Sequence, residues 1–257
     1  MDLARASLGG GSGEGGPITA RLQELRVTEG VTLTDLTAEI DARTGPRGSF
    51  TALVNGGPAV EGSLVPVPGG VEVHVESERA GAVLRAADFF AGAEGGRLDL
   101  WLTQTGVEGQ FDGRLAIDGL RVTEAPALAE LLNAFSIFGL LQQMAGQGIV
   151  FDEVRADFRI DPDRVTLKSS SAVGVGLGLS LDGVYRIGDG TVDMQGVLSP
   201  FYLVNAVGEV LTRRGEGLLG FTFRLTGPLA DFDVAVNPLS VLTPGMFREI
   251  FRRPPPQ

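Results

Sequence analysis

Residues 49–77 read SFTALVNGGPAVEGSLVPVPGGVEVHVES, and their period is two. Val71, Val73 and Val75 alternate with Glu72, His74 and Glu76, which puts valines on one face of an extended chain and polar groups on the other. Upstream, Asn55-Gly56 is the strongest hairpin signal in the chain, because both residue types accept the positive φ values that a tight turn of twisted strands requires. Alternating strands joined by short turns make an antiparallel meander with one apolar face.

The same pattern extends in both directions. ITARLQELRVTEGVTLTDLTAEIDA, residues 18–42, breaks at Glu29-Gly30, after which Leu33, Leu36, Ala38 and Ile40 share a face with a one-residue slip. RLDLWLTQT places Leu98, Leu100 and Leu102 together, and QFDGRLAIDGLRV pairs Leu115 with Ile117 before a slip at Asp118-Gly119 that reads as a bulge. Beyond residue 148 the turns Asp161-Pro162-Asp163 and Gly188-Asp189-Gly190 divide a run of three or four strands. Phe221, Phe223 and Leu225 then stand opposite Thr222, Arg224 and Thr226. The predicted fold class is mainly β: a curved, mostly antiparallel sheet forming an open groove or partial barrel, with a few short capping helices. Helical windows fall at AGAVLRAADFF, at FYLVNAVGEVLTRR after Pro200, and at TPGMFREIF, where Thr243 can cap and Pro244 suits the first turn. Residues 1–16 read as a flexible Gly/Ser-rich tail, 17–252 as the β domain with a possible sub-boundary near 124–148, and 253–257 as a Pro-rich tail.

Composition narrows the function classes. The net charge is −11 and the isoelectric point about 4.6, so no basic stripe is available for a nucleic-acid backbone. There are no cysteines, which removes disulfides, thiolate chemistry and cysteine-ligated metals. Residues 174–178, GVGLG, lack the following helix that a dinucleotide fingerprint needs. They read as a continuing strand, bare at Gly174, Gly176 and Gly178, where a neighbouring layer comes close. His74, the only histidine, reads as a solvated residue on the polar side of its strand, and Trp101, opposite its leucines, as covered packing. Asp152-Glu153, Asp161, Asp163, Asp189, Asp231 and Asp233 sit at turns and strand ends, where carboxylates satisfy local backbone donors. None completes a calcium loop, and no nucleophile elbow is present. No catalytic residue, cofactor or metal ligand set is indicated, and the chain reads as a non-enzyme.

Residues 126–146, PALAELLNAFSIFGLLQQMAG, stand apart from the strands. Wound as one helix, Leu128, Leu131, Leu132, Phe135, Phe138 and Gly139 form a stripe for packing on the sheet. Glu130 and Asn133 face away from it in the first half, but Ile137, Leu140, Leu141 and Met144 occupy that side in the second. Polar interruptions at Glu130, Asn133, Gln142 and Gln143 argue against a membrane span. The second half therefore requires another apolar neighbour: protein, lipid or a membrane surface.

Taken in order, APALAELLNAFSIFGLLQQMAGQGIVFD, VTLKSSSAVGVGLGLSLDGVYRIGDGTVDMQGVLSPFYLVNAVGEV and GEGLLGFTFRLTGPLADFDVAVNPLSVLTPGMFREIF resemble the C-terminal region of the AsmA-like bacterial envelope proteins, YhdP-like branch. SFTALVNGGPAVEGSL and RAGAVLRAADFFAGAEGGRLDLWL resemble it too. The individual motifs are loose and their order carries the likeness. The resemblance implies a member of the bridge-like lipid transfer proteins: an inner-membrane anchor, absent from this chain, followed by a β-groove crossing the periplasm. It implies phospholipid as ligand, a membrane surface or envelope proteins as partners, a membrane-associated periplasmic location and no catalytic residues. The chain is then the C-terminal segment of a phospholipid conduit between inner and outer membranes. Candidate lining residues, taken from the apolar faces, are Val71, Val73, Val75, Leu98, Leu100, Leu102, Leu115, Ile117, Phe221 and Phe223, with Ile137, Leu140, Leu141 and Met144 at the end of the groove. The alternative is a scaffolding module for outer-membrane or envelope biogenesis that works through sheet-edge or helix contacts.

Overall fold

The alternating segments pair in chain order. The computed structural model describes residues 18–28, 30–41, 43, 45–135, 137–200, 220–229 and 232–237. Its strands are β1 (Ile18–Arg26), β2 (Thr32–Asp41), β3 (Arg47–Val54), β4 (Ala59–Val67), β5 (Gly70–Ser77), β6 (Ala93–Gln104), β7 (Phe111–Val122), β8 (Ile149–Ile160), β9 (Arg164–Val173), β10 (Leu177–Arg186), β11 (Thr191–Pro200), β12 (Phe221–Pro228) and β13 (Asp233–Asn237). Among the described residues they form one 13-stranded sheet in which each strand pairs antiparallel with its sequence neighbour, and the sheet does not close. Three short helices interrupt it among the described residues: α1 (Ala80–Ala86), α2 (Pro126–Ala134) and α3 (Phe138–Gly146). None is long and apolar enough to cross a membrane. The helical windows expected near 201–214 and 243–251 lie outside the described residues, as do the two tails.

The β3–β4 hairpin turns as its sequence demands, with φ of 50° at Asn55 and 70° at Gly56, the left-handed pair of a type I′ turn. The Asn55 amide also ties three segments together: its Nδ2 donates to the carbonyls of Gly30 at 2.9 Å and Ala86 at 2.6 Å, and its Oδ1 accepts from the Thr32 amide at 2.7 Å. The expected turns between β8 and β9 and between β10 and β11 are also present.

Three sequence expectations are corrected. Residues 174–176 do not continue a strand. They turn the chain between β9 and β10, Gly174 N–H donating to the Leu177 carbonyl at 2.9 Å, so Val175 is exposed while Leu177 is fully buried. Close approach is nonetheless real at Gly174, where a Cβ would collide with the Val150 carbonyl. At Asp118-Gly119 no register shift occurs: Arg97 pairs with Asp118 and Gly95 with Leu120, and on the other side Asp118 pairs with Glu153 and Leu120 with Phe151. The inward-facing residues change phase on all three strands at this level, from Leu98 to Ala93, Ile117 to Leu120 and the half-buried Val154 to Phe151. Left-handed backbone at Gly95, Gly96 and Gly119 makes a crease across the sheet rather than a bulge in one strand. Finally, residues 126–146 are two helices, broken between Ala134 and Phe138, so one helical phase cannot be carried through both halves.

All three helices pack on the apolar face. Their buried side chains Leu128, Leu131, Leu132, Leu140 and Met144 join Leu98, Ile117, Leu120, Leu177, Leu198 and Phe223 in one core cluster. A second cluster of Leu25, Leu36, Ala52, Val54 and Val60 serves the first four strands. Helix α2 lies in the β7–β8 connection yet touches β13. On a flat sheet β13 would be about 24 Å from β8 at the usual strand spacing; the contact therefore requires the sheet to curl around the helices with its apolar face inside.

Candidate functional site

Three registered rows cross the inner face. One runs Ser77, Leu98, Ile117, Val154, Ala172, Leu179, Leu198 and Phe221. The helices cover it, and Leu98, Ile117 and Leu198 are 3%, 2% and 0% exposed. The next runs Val75, Leu100, Leu115, Ala156 and Ser170, and the third Val73, Leu102, Gly113, Phe158 and Leu167. Apart from the buried Gly113, every member of these two rows is half-buried. Protein cover thus thins along the strands away from the helices, and a band of apolar side chains is left partly open.

The proposed lining residues divide along that gradient. Val71, Val73, Val75, Leu100, Leu102 and Leu115 are half-buried in the uncovered band. Leu98, Ile117, Leu140, Met144 and Phe223 are buried in the core against protein. Ile137 and Phe221 are half-buried beside that core, and Phe221 stacks on Phe135 with ring centroids 4.2 Å apart. Leu141 belongs to α3, and its side chain lies outside the described residues.

Sequence reasoning singled out Phe223 but passed over Phe50 and Phe158 and the glycines that all three face. Phe50 is the register partner of Gly62, Phe158 of Gly113 and Phe223 of Gly196. At each of these glycines a Cβ would run into the partner's ring, so the ring lies flat over its neighbour's backbone and smooths the inner face. The signal was a glycine inside an alternating strand, which marks a place where something comes close.

The rim is polar. A depression of about 440 Å³ crosses β7 to β10, where Leu115, Ala156 and Leu181 are mixed with Arg114, Arg155, Asp157, Asp182 and a run of serines from Ser169 to Ser171. That volume lies within the range of small-molecule sites. Here β9 carries one extra residue, Lys168, relative to both neighbours. The bulge brings the Lys168 ammonium within 2.8 Å of Asp112, two strands away. The Arg159 guanidinium grips the same carboxylate with two bonds of 2.9 and 2.8 Å. These donors, Arg159 foremost, hold the Asp112 carboxyl down at about 2. Arg155 pairs with Glu153 and Asp118, whereas Arg114 makes no ion pair among the described residues.

His74 is not the solvated residue its pattern suggested. Its ring stacks on Trp101, centroids 3.8 Å apart and planes 12° from parallel, and its Nε2 is 3.2 Å from Asp99 Oδ1. Trp101 is covered, as expected, but by the histidine of the neighbouring strand.

In comparisons with known proteins the chain matches no family model, no curated protein and no solved structure.

Proposed function

We propose that the chain is a lipid-binding segment whose curved sheet holds phospholipid acyl chains along its inner face, as part of a periplasmic conduit between bacterial membranes. The observation that carries this reading is the half-buried apolar band through Val73, Leu102 and Phe158 and through Val75, Leu100 and Leu115, continuous with a helix-packed core at one end. Partly open apolar side chains in adjacent rows, on a protein of net charge −11, support a role in binding an apolar ligand. Acyl chains suit it because apolar burial, at about 25 cal/mol per Å², is non-directional and lets a chain slide without breaking specific bonds. The binding is passive and no bond is cleaved. The family resemblance points the same way and supplies the periplasmic, membrane-associated setting.

The test is binding of a phospholipid with a fluorescent acyl chain, presented in detergent-free vesicles. Saturable uptake that is lost in Leu100→Asp and Leu102→Asp, while both variants keep native strand content, supports the reading. Uptake equal in wild type and both variants, or no uptake by folded wild type, sinks it. Among the described residues the sheet is unclosed and its outermost strands are β1 and β13, which favours strand addition by an envelope protein as a second reading. It predicts that proline substitutions in β1 abolish partner capture and leave lipid uptake intact.

A further inference from the structure

On the polar side of β5 and β6 the only histidine of the chain meets two carboxylates. Asp99 is the register partner of Glu76. His74 Nε2 is 3.2 Å from Asp99 Oδ1, and its Nδ1 is 3.9 Å from Glu76 Oε2. One ligand atom from each of the three residues lies within 4.8 Å of the other two. The imidazole is held in orientation by its stack on Trp101. From this arrangement we infer that His74, Glu76 and Asp99 form a binding site for a first-row divalent transition ion such as zinc.

One imidazole nitrogen and two carboxylate oxygens are a donor set that zinc and its neighbours accept and that pure oxygen sites for calcium or magnesium lack. Ligands about 2.0–2.1 Å from a tetrahedral ion stand roughly 3.4 Å apart; Asp99 already faces Nε2, and Glu76, which lies nearer Nδ1, must swing across by changing rotamer to complete the set on the same ion. The two carboxylates would neutralise the ion. Side-chain exposures of 16%, 42% and 38% leave a path for entry and a fourth position open to water. Arg97 competes for Glu76 at 3.0 Å, but Glu78, 3.6 Å away, offers it another partner. An ion here would clamp β5 to β6 directly behind Val73, Val75, Leu100 and Leu102, the wall of the apolar band. The acid pair of the β8–β9 turn, Asp161 and Asp163, brings no nitrogen donor and invites no comparable inference.

Trp101 is the only tryptophan, so its emission reports on this site alone. The experiment is a fluorescence titration of the full chain with cobalt(II) in chelator-free buffer, followed by zinc. Expected are saturable, equimolar quenching, its relief by zinc, indifference to magnesium, and weakening by roughly tenfold or more in His74→Gln and Asp99→Asn. Arg97→Gln, which frees Glu76, should tighten binding. Circular dichroism confirms that each variant keeps its strands; should the histidine variant fail to fold, Glu76→Gln carries the same prediction from a more exposed position. Absence of saturable quenching in wild type, or equal quenching in folded wild type and variants, overturns the site.

Discussion

Asn55 does with one side chain what a longer loop would need several residues to do. It takes the left-handed conformation of the β3–β4 turn and binds Gly30, Thr32 and Ala86. Asn55→Ala should lower stability in urea unfolding by about 2 kcal/mol, combining lost hydrogen bonds with a left-handed alanine. Asn55→Gly relieves the backbone term and should lose less; equal losses would contradict the division. Asp112 makes a pH-dependent contribution. Its carboxyl is lowered from 3.8 to about 2, so the stabilisation is fully present above the unfolded value and disappears as pH falls from about 4 towards 2. With the side chain 41% exposed, solvent screening reduces the gain to about 1 kcal/mol. Asp112→Asn should therefore cost that much at pH 7 and only a small part of it near pH 2, checked by unfolding at both. A loss independent of pH would assign Asp112 a packing role instead.

Among the elements, α3 provides the sharpest contrast between neighbouring positions. Leu140 and Met144 are 9% and 6% exposed, while Gln142 and Gln143 face water. Leu140→Asp or Met144→Asp should destabilise by about 3 kcal/mol or more through an uncompensated buried charge, and Gln142→Asp should be nearly neutral; thermal unfolding of the three variants decides it. Gly113→Ala should cost about 1–3 kcal/mol by pushing Phe158 off its partner strand. The strands themselves were legible because Val71, Val73 and Val75 and their counterparts alternate strictly and Asn55-Gly56 turns by local chemistry. The break between α2 and α3 was not, since Leu132, Phe135, Ile137 and Leu140 offer apolar side chains in either helical phase and no proline or glycine pair marks the stop. Nor was the turn at Gly174 to Gly176, where alternation resumes beyond the turn in a misleadingly continuous phase. The His74–Trp101 pair depends on the register of β5 against β6, which becomes definite only when the sheet is assembled.

At the scale of the whole molecule, the candidate lining was half-legible. Alternation identified the apolar face, but which rows of it the helices cover depends on how far the sheet curls, a tertiary property that no single strand encodes. Thus Leu98 and Leu102 look equivalent in RLDLWLTQT, yet one is core and the other borders the open band. The most direct test of the account uses that difference. A phospholipid carrying a photoreactive diazirine in its acyl chain is loaded onto the chain, irradiated, and its adducts are mapped by peptide mass spectrometry. Adducts at Val73, Val75, Leu100, Leu102 and Leu115, with few at the protein-packed Leu98 and Ile117, are the predicted result. Adducts confined to isolated exposed residues such as Phe89, Val107 and Val175, or none on folded protein, would contradict it.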